Sequence, residues 1–523
     1  MKPHTHNSST GHSGRKQHYD VAVVGAGPAG SVMAWSLARQ GVRVLLLEKS
    51  RFPRDKVCGD FVEPRGLRIL DQVGCLTQLE DASPLPISRV AMYLQGRCCY
   101  QGDIPFYGRS RDLPANGYII PRDQLDHQIM QCARKAGAVV VEDTAVKSIS
   151  ITDNGVTLRA RQGRHNRTYQ AELVVGADGV NSIVARNAGL LAEDQRHIAV
   201  SQRGYIAGLT DTSGEAAFFF DKDYFPGYGW MFPLKGGMAN IGVGILAETR
   251  KREGINVPRL FADFVAKLRV THPACQDIHL TSPPKGGIVK TYGAAGPNYF
   301  QRGILIGDAG CFVDPMTGEG ITPAMESALI GASVLKEALA TSNFSAAFLA
   351  RYETLFRNYF DPALSYNDLC ACIMRNTHFA DAWLNAVRRG CNIANSDPDF
   401  ARITGATFGG MQVDPHAIIS QVWSKTVIDL ADRGVQSMFG LLSGNSQDLF
   451  SAFSDLMVWQ SSWLSSLLDD PVWHLGWSAD VARKWYKVFS HLPGAKTDPR
   501  QNGFTLTEQI PKLNITRLPQ QQL

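Results

Sequence analysis

Two short stretches hold the residues best suited to chemistry. "FPRDKVCGDFVEP", Phe52 to Pro64, sets the thiol of Cys58 among charged side chains, and "PGYGWMFPLKGGMANIGVG", Pro226 to Gly244, places large rings ahead of a run of glycines. A single cysteine can be a reactive group or a small buried hydrophobe. In a strand, Tyr228, Trp230 and Phe232 alternate by two and share one face. Such a face packs a core or walls an apolar ligand, each ring contributing about 1 to 3 kcal/mol when fully desolvated.

The elements that would position these groups begin with "YDVAVVGAGPAGSVMAWSLARQGVRVLLLEKS". Val21 to Val24 is a β-branched run suited to a buried parallel strand, and the turn Gly25-Ala-Gly27-Pro-Ala-Gly30 follows at once. Gly25 permits the tight turn, Gly27 lets backbone amides approach a pyrophosphate, and Gly30 allows close helix-to-strand contact. A second strand, Val44 to Leu47, ends in Glu48, 23 residues after Gly25, where a carboxylate can hold a ribose hydroxyl pair. The pattern is a dinucleotide site. It returns as the strand Leu173 to Val175 before Gly176-Ala-Asp178-Gly179. It returns again as the strand Ile304 to Ile306 before Gly307-Asp308, with Pro315-Met-Thr-Gly318-Glu-Gly320 opening a helix whose Met325, Ala328, Leu329, Ala332 and Leu335 recur at helical spacing.

These motifs are similar to the FAD-binding motifs of the aromatic-hydroxylase (p-hydroxybenzoate hydroxylase-type) and geranylgeranyl-reductase superfamily. The resemblance implies an α/β fold, with a Rossmann-type FAD domain interleaved with an antiparallel-sheet substrate domain. It implies that Asp308 holds the ribityl chain, that Gly318 to Gly320 face the flavin ring, and that Asp178 supports the FAD side and a passing NAD(P)H. Arg122, in "PRDQLDHQIMQCARKAGA", resembles the family arginine that reaches the cofactor from its own helix. The F-P-R-x-K-x-C-G pattern ending at Gly59 resembles the signature of the geranylgeranyl-reductase branch, which sets Cys58 near the flavin. Tyr228 to Pro233 matches the same branch's Y-x-W-x-F-P, and Gly242 and Gly244 its G-x-G, implying a channel for a polyprenyl or other long apolar chain.

Flavin halogenases share the register, but their G-W-x-W-x-I-P meets Tyr228 and Phe232 here, and Gly318 replaces a serine of their second motif. The expected activity is NAD(P)H-driven reduction of an isoprenoid-like double bond. Oxygen-dependent hydroxylation or epoxidation of a hydrophobic metabolite stands beside it, as does a flavin-binding protein without catalysis, because one fold hosts many chemistries.

The rest of the chain sets bounds. With 523 residues, 44% of them hydrophobic and 19% charged, it reads as globular, and a net charge of +5 without a basic block argues against a nucleic-acid partner. Ten cysteines without a C-x-x-C pair indicate neither a zinc site nor a disulfide framework. No signal peptide and no apolar run of bilayer length stand out, so a cytoplasmic protein with an optional peripheral membrane contact is expected. The oligomeric state stays open.

The polar segment 1–18, with His4, His6, His12 and His18, reads as a disordered tail and not as a metal tract. Residues 19–190 and 285–340 read as the FAD domain, with part of 60–120 given to the substrate domain, whose main body is 191–284. Residues 341–523 read as a helical extension. Within it Trp459, Trp463, Trp473, Trp477 and Trp485 crowd one segment, suited to packing the extension onto the body, to capping a channel, or to resting at a lipid interface.

Overall fold

The computed structural model describes residues 18–81, 84–104, 116–210, 213–294, 296–410, 458 and 460–490. His4, His6 and His12 of the N-terminal tail, and Trp459, lie outside these, whereas His18, expected in the tail, opens the first strand opposite Gln170. The apolar run Val21–Val24 makes His18–Val24 a central strand, flanked on both sides by parallel neighbours. Across that sheet the order is Tyr299–Phe300, Gly303–Leu305, His165–Gly176, His18–Val24, Val44–Leu47, Val139–Val141. Each of its central strands is buried on both faces, which is why they read as continuous apolar runs and not as alternation. On one face lie the helices Pro28–Ala38, Arg122–Lys135 and Ile321–Thr341, packed around Met33, Leu37 and Met325. The hairpin Thr144–Thr152 and Gly155–Gln162 extends from His165–Gly176.

A second sheet runs His279–Leu280, Ile198–Ala207, Met238–Leu246, Tyr228–Leu234, Glu215–Phe220, Arg89–Leu94, Arg97–Asp103, and Lys285–Lys290 pairs with Ile198–Ala207. Alternation sorts its residues by face. Ala217, Phe219, Met231, Ile241 and Val243 bury against the helix Val257–Thr271. Phe218, Trp230 and Phe232 turn the other way.

Beyond residue 341 the described residues are mostly helical. Ala346–Met374 packs on Ile321–Thr341, and Pro471–Ser490 packs back on Ala346–Met374 through Trp477, whose indole N–H donates to the Cys372 carbonyl at 2.8 Å. Trp473 stacks on Trp477 at 6.3 Å, so these two rings attach the extension to itself and to the body. The helices Ala380–Ser396 and Pro398–Phe408 cover the Arg97–Asp103 end of the second sheet. No helix among the described residues is long and apolar enough to cross a membrane.

Candidate active site

The dinucleotide loop is built from backbone. Gly25 adopts φ +100°, and a Cβ there would lie 2.4 Å from the Ala177 carbonyl oxygen. A Cβ on Gly30 would stand 1.8 Å from the Gly25 oxygen, so the helix can press on the turn only through a glycine. Gly27 begins the helix Pro28–Ala38 with no side-chain cap and no acid in the first turn, which leaves its amides open to an anion. Glu48 is buried beneath this loop, accepting from the amides of Ala26 at 2.8 Å and Ser50 at 3.0 Å.

A row of alternating charges leads away from the loop. Arg54 lies 3.6 Å from Glu48 and 3.0 Å from Asp126, with its guanidinium also reaching toward Gly27. Asp126 accepts two further bonds from Arg122, at 2.7 and 2.9 Å. Two carboxylates and two guanidiniums thus compensate one another where an unpaired charge would be costly. Neither Arg54 nor Asp126 was singled out by the sequence, although Arg122 and Asp126 stand four apart on one helix face.

Asp178 sits behind the loop. Its carboxylate accepts from the Ser182 hydroxyl at 2.5 Å and the Ile183 amide at 2.7 Å, capping the short helix Ile183–Asn187. Asp308 faces Lys56 across 3.1 Å and lies beside Gly320, the uncapped start of the helix Ile321–Thr341. Gly318 takes φ +69° in the turn before it.

Between the two sheets is a cavity of about 220 Å³ that brings together Cys58, Arg122, Asp308, Gly318, Gly320 and the rings of Tyr228, Trp230 and Phe232. The cross-strand partners of those rings are Gly244, Gly242 and Asn240. Gly242 leaves space for the indole, since a Cβ there would stand 2.1 Å from the Trp230 ring, and Gly244 also lines the cavity. The Tyr228 hydroxyl donates to the Thr317 carbonyl, tying this wall to the Pro315–Gly320 turn. Burial pushes the Cys58 thiol up, against the opposing pull of the Arg122 guanidinium beside it, so it is a neutral thiol at ordinary pH.

Three acids in or beside the cavity escaped sequence reasoning. Asp60, two residues past Cys58, is fully buried at φ 65°. One oxygen accepts from the Tyr205 hydroxyl at 2.5 Å and the Asn240 amide at 2.7 Å, while the other has no partner, and burial pushes the group up to about 7. Asn240 also donates to the Cys58 carbonyl at 2.9 Å and accepts from the Trp230 indole at 3.0 Å, so one amide joins the cysteine loop to the aromatic wall. Glu63 and Glu319 lie within reach of each other, beside Glu326 and a single guanidinium, Arg65. Three carboxyls around one cation cannot all ionise. Burial and mutual repulsion hold Glu63 well above its ordinary range, and burial sets Glu319 at about 7.

The chain matches the family described as "FAD binding domain" over residues 18–355. It belongs to that family. Menaquinone reductase of Mycolicibacterium smegmatis is 34% identical over 338 residues, 62% of this chain and 78% of that protein. Digeranylgeranylglycerophospholipid reductase 2 of Methanopyrus kandleri is 30% identical over 359 residues, 66% of this chain and 84% of that protein. A geranylgeranyl bacteriochlorophyll reductase-like structure from Thermoplasma acidophilum superposes with a TM-score of 0.62 at 25% identity, covering 71% of this chain and 92% of that one. The flavin-dependent halogenase CmlS shares the fold, with a TM-score of 0.61 at 19% identity. The protein is an FAD-dependent oxidoreductase of the geranylgeranyl reductase-like branch.

The residues fit the cofactor of that family. The uncapped amides after Gly27, the missing Cβ atoms of Gly25 and Gly30, and the guanidinium of Arg54 form a cradle for a pyrophosphate. Bound there, FAD supplies hydride transfer, and the chain positions and shields the reacting groups.

Proposed function

We propose that this flavoenzyme reduces an isoprenoid-like carbon–carbon double bond, with NAD(P)H as the source of electrons. One observation carries the reading: a single cavity joins the Cys58 loop and the Gly318–Gly320 turn to an apolar wall of Tyr228, Trp230 and Phe232. In this reading the pyrophosphate of FAD lies over Gly25, Gly27 and Gly30, and Glu48 orders the loop near the ribose. Asp308 and Arg122 serve the cofactor from opposite sides, while Asp178 braces the turn behind it. Cys58 and the aromatic rings then meet the substrate. The names of the menaquinone and geranylgeranyl-type reductases support the choice of a prenylated substrate.

Anaerobic turnover tests it. Candidate prenylated lipids should be reduced by the enzyme with NADPH or NADH in the absence of oxygen. Product that forms only with oxygen and carries its label would move the assignment to a monooxygenase. A peripheral contact with a lipid surface belongs to the same proposal, supported by the exposed side chains of Leu464, Leu468, Val472 and Leu475. Flotation with phospholipid vesicles should recover the protein, and substitution of Leu468 and Val472 by serine should reduce that recovery.

A further inference from the structure

The family match stops at residue 355, yet the cavity does not. Phe408, the last residue of the helix Pro398–Phe408, lines it together with Met374 and Gly410. Its ring meets Phe218 at 5.4 Å and Phe220 at 6.1 Å. Phe218 touches both Phe232 at 5.5 Å and Tyr228 at 5.8 Å, and Phe220 touches Tyr228 at 6.2 Å, so Phe408 packs along the Phe218 flank of the aromatic wall. Phe61 lies 5.6 Å from Phe232.

Fixed polar ties hold this helix pair in place. The Tyr100 hydroxyl donates to the Ala401 carbonyl at 2.8 Å, and the Asn395 amide donates to the Cys99 carbonyl at 2.9 Å. At the far end, Arg65 donates to the Gly410 carbonyl at 3.0 Å while its other nitrogen holds Glu326. Apolar packing of Phe400, Ile403 and Ala406 against Val90, Met92 and Ile104 completes the seat. A ring anchored from both ends of its helix is a stationary wall and not a swinging lid.

We infer that Phe408 sets the length of apolar chain this enzyme accepts, as a fixed ring in the cavity wall carried by a helix that lies beyond the family match. The assignment rests on the prenyl-substrate reading above and deepens it. Trimming Phe408 to alanine removes a ring's worth of carbon, about the size of one isoprenoid unit, without touching the cofactor cradle.

Equilibrium binding tests the assignment apart from turnover. Geraniol, farnesol and geranylgeraniol, each longer by one isoprenoid unit, are titrated against the full-length, flavin-loaded, oxidised protein, with quenching of tryptophan fluorescence as the readout. Phe408→Ala should shift the preferred length upward by one unit, with about tenfold tighter binding of the longer alcohol than wild type shows. Phe408→Trp should shift it downward, and Phe408→Leu, the mildest change, serves if alanine fails to fold. An identical length profile in wild type and in every folded variant overturns the assignment while leaving the prenyl reading intact. Absence of binding by wild type and variants alike overturns the prenyl reading, and this assignment with it.

Discussion

The two faces of the Tyr228–Leu234 and Met238–Leu246 strands are made from the same stretch of chain and do opposite work. On one face Met231, Ile241 and Val243 meet Phe261, Phe264 and Leu268 of the helix Val257–Thr271, an interdigitated apolar contact. On the other, three large rings are paired with Asn240, Gly242 and Gly244, and the space freed by the small partners is shared by the rings, a buried amide and the cavity. A period of two lets one hairpin hold up the fold with its odd positions and shape a site with its even ones. The site face gives up apolar packing to do so.

That contrast can be broken most forcefully from the packing side. Phe264→Ala removes a side chain that is 2% exposed and packed on Phe219 and Tyr224, and should cost about 3–5 kcal/mol in a denaturant titration. Substrate affinity should be unchanged in the protein that remains folded. A smaller and differently distributed effect is expected from Trp230→Phe. This loses the indole bond to Asn240 and should cost about 1–3 kcal/mol. Unlike Phe264→Ala it should also raise KM, because the ring lines the cavity.

A third test uses pH. Asp60 holds its proton up to about 7 in the folded protein, against 3.8 ordinarily, so between those values the native state binds a proton that the unfolded chain releases. Its contribution therefore favours folding at the acid end and fades as pH rises toward 7. Subtracting the unfolding free energies of Asp60→Asn from wild type across pH 4.5 to 7 should isolate this slope; parallel curves would place the ionised form in the native state. Smallest of all should be Lys285→Ala. It removes a half-exposed ion pair to Asp55 at 2.7 Å, and a change within about 1 kcal/mol is expected from the same titration.

The backbone-built half of the site was legible in advance because its chemistry is written in missing side chains and short spacings. Gly25, Gly27 and Gly30 reveal the turn, and the strand that follows ends on Glu48, whose contact with Ala26 closes the unit within 22 residues. The shared face of Tyr228, Trp230 and Phe232 was likewise legible from alternation. Asp60 was not, because its partners Tyr205 and Asn240 lie 145 and 180 residues away and meet it only after the sheet has formed. Glu63 and Thr322, 259 residues apart, pose the same difficulty. Nor was the role of Arg54 legible, since nothing local foretells that it reaches Asp126. The Phe408 wall lay outside the family motifs altogether.

Interleaving of the two sheets also sets a schedule for synthesis. Arg89–Leu94 finds its parallel partner only when Glu215–Phe220 has been made, and His165–Gly176 is flanked on one side by His18–Val24 and on the other by Gly303–Leu305. Neither sheet can close over an early fragment, and contacts of such high sequence separation slow the search for the native topology. A nascent chain must therefore hold one edge of Val174–Gly176 without its partner until Gly303–Leu305 has been translated, at about 5–20 residues per second. The geometry that gathers distant residues around one cavity thus keeps two strand edges open until late in synthesis.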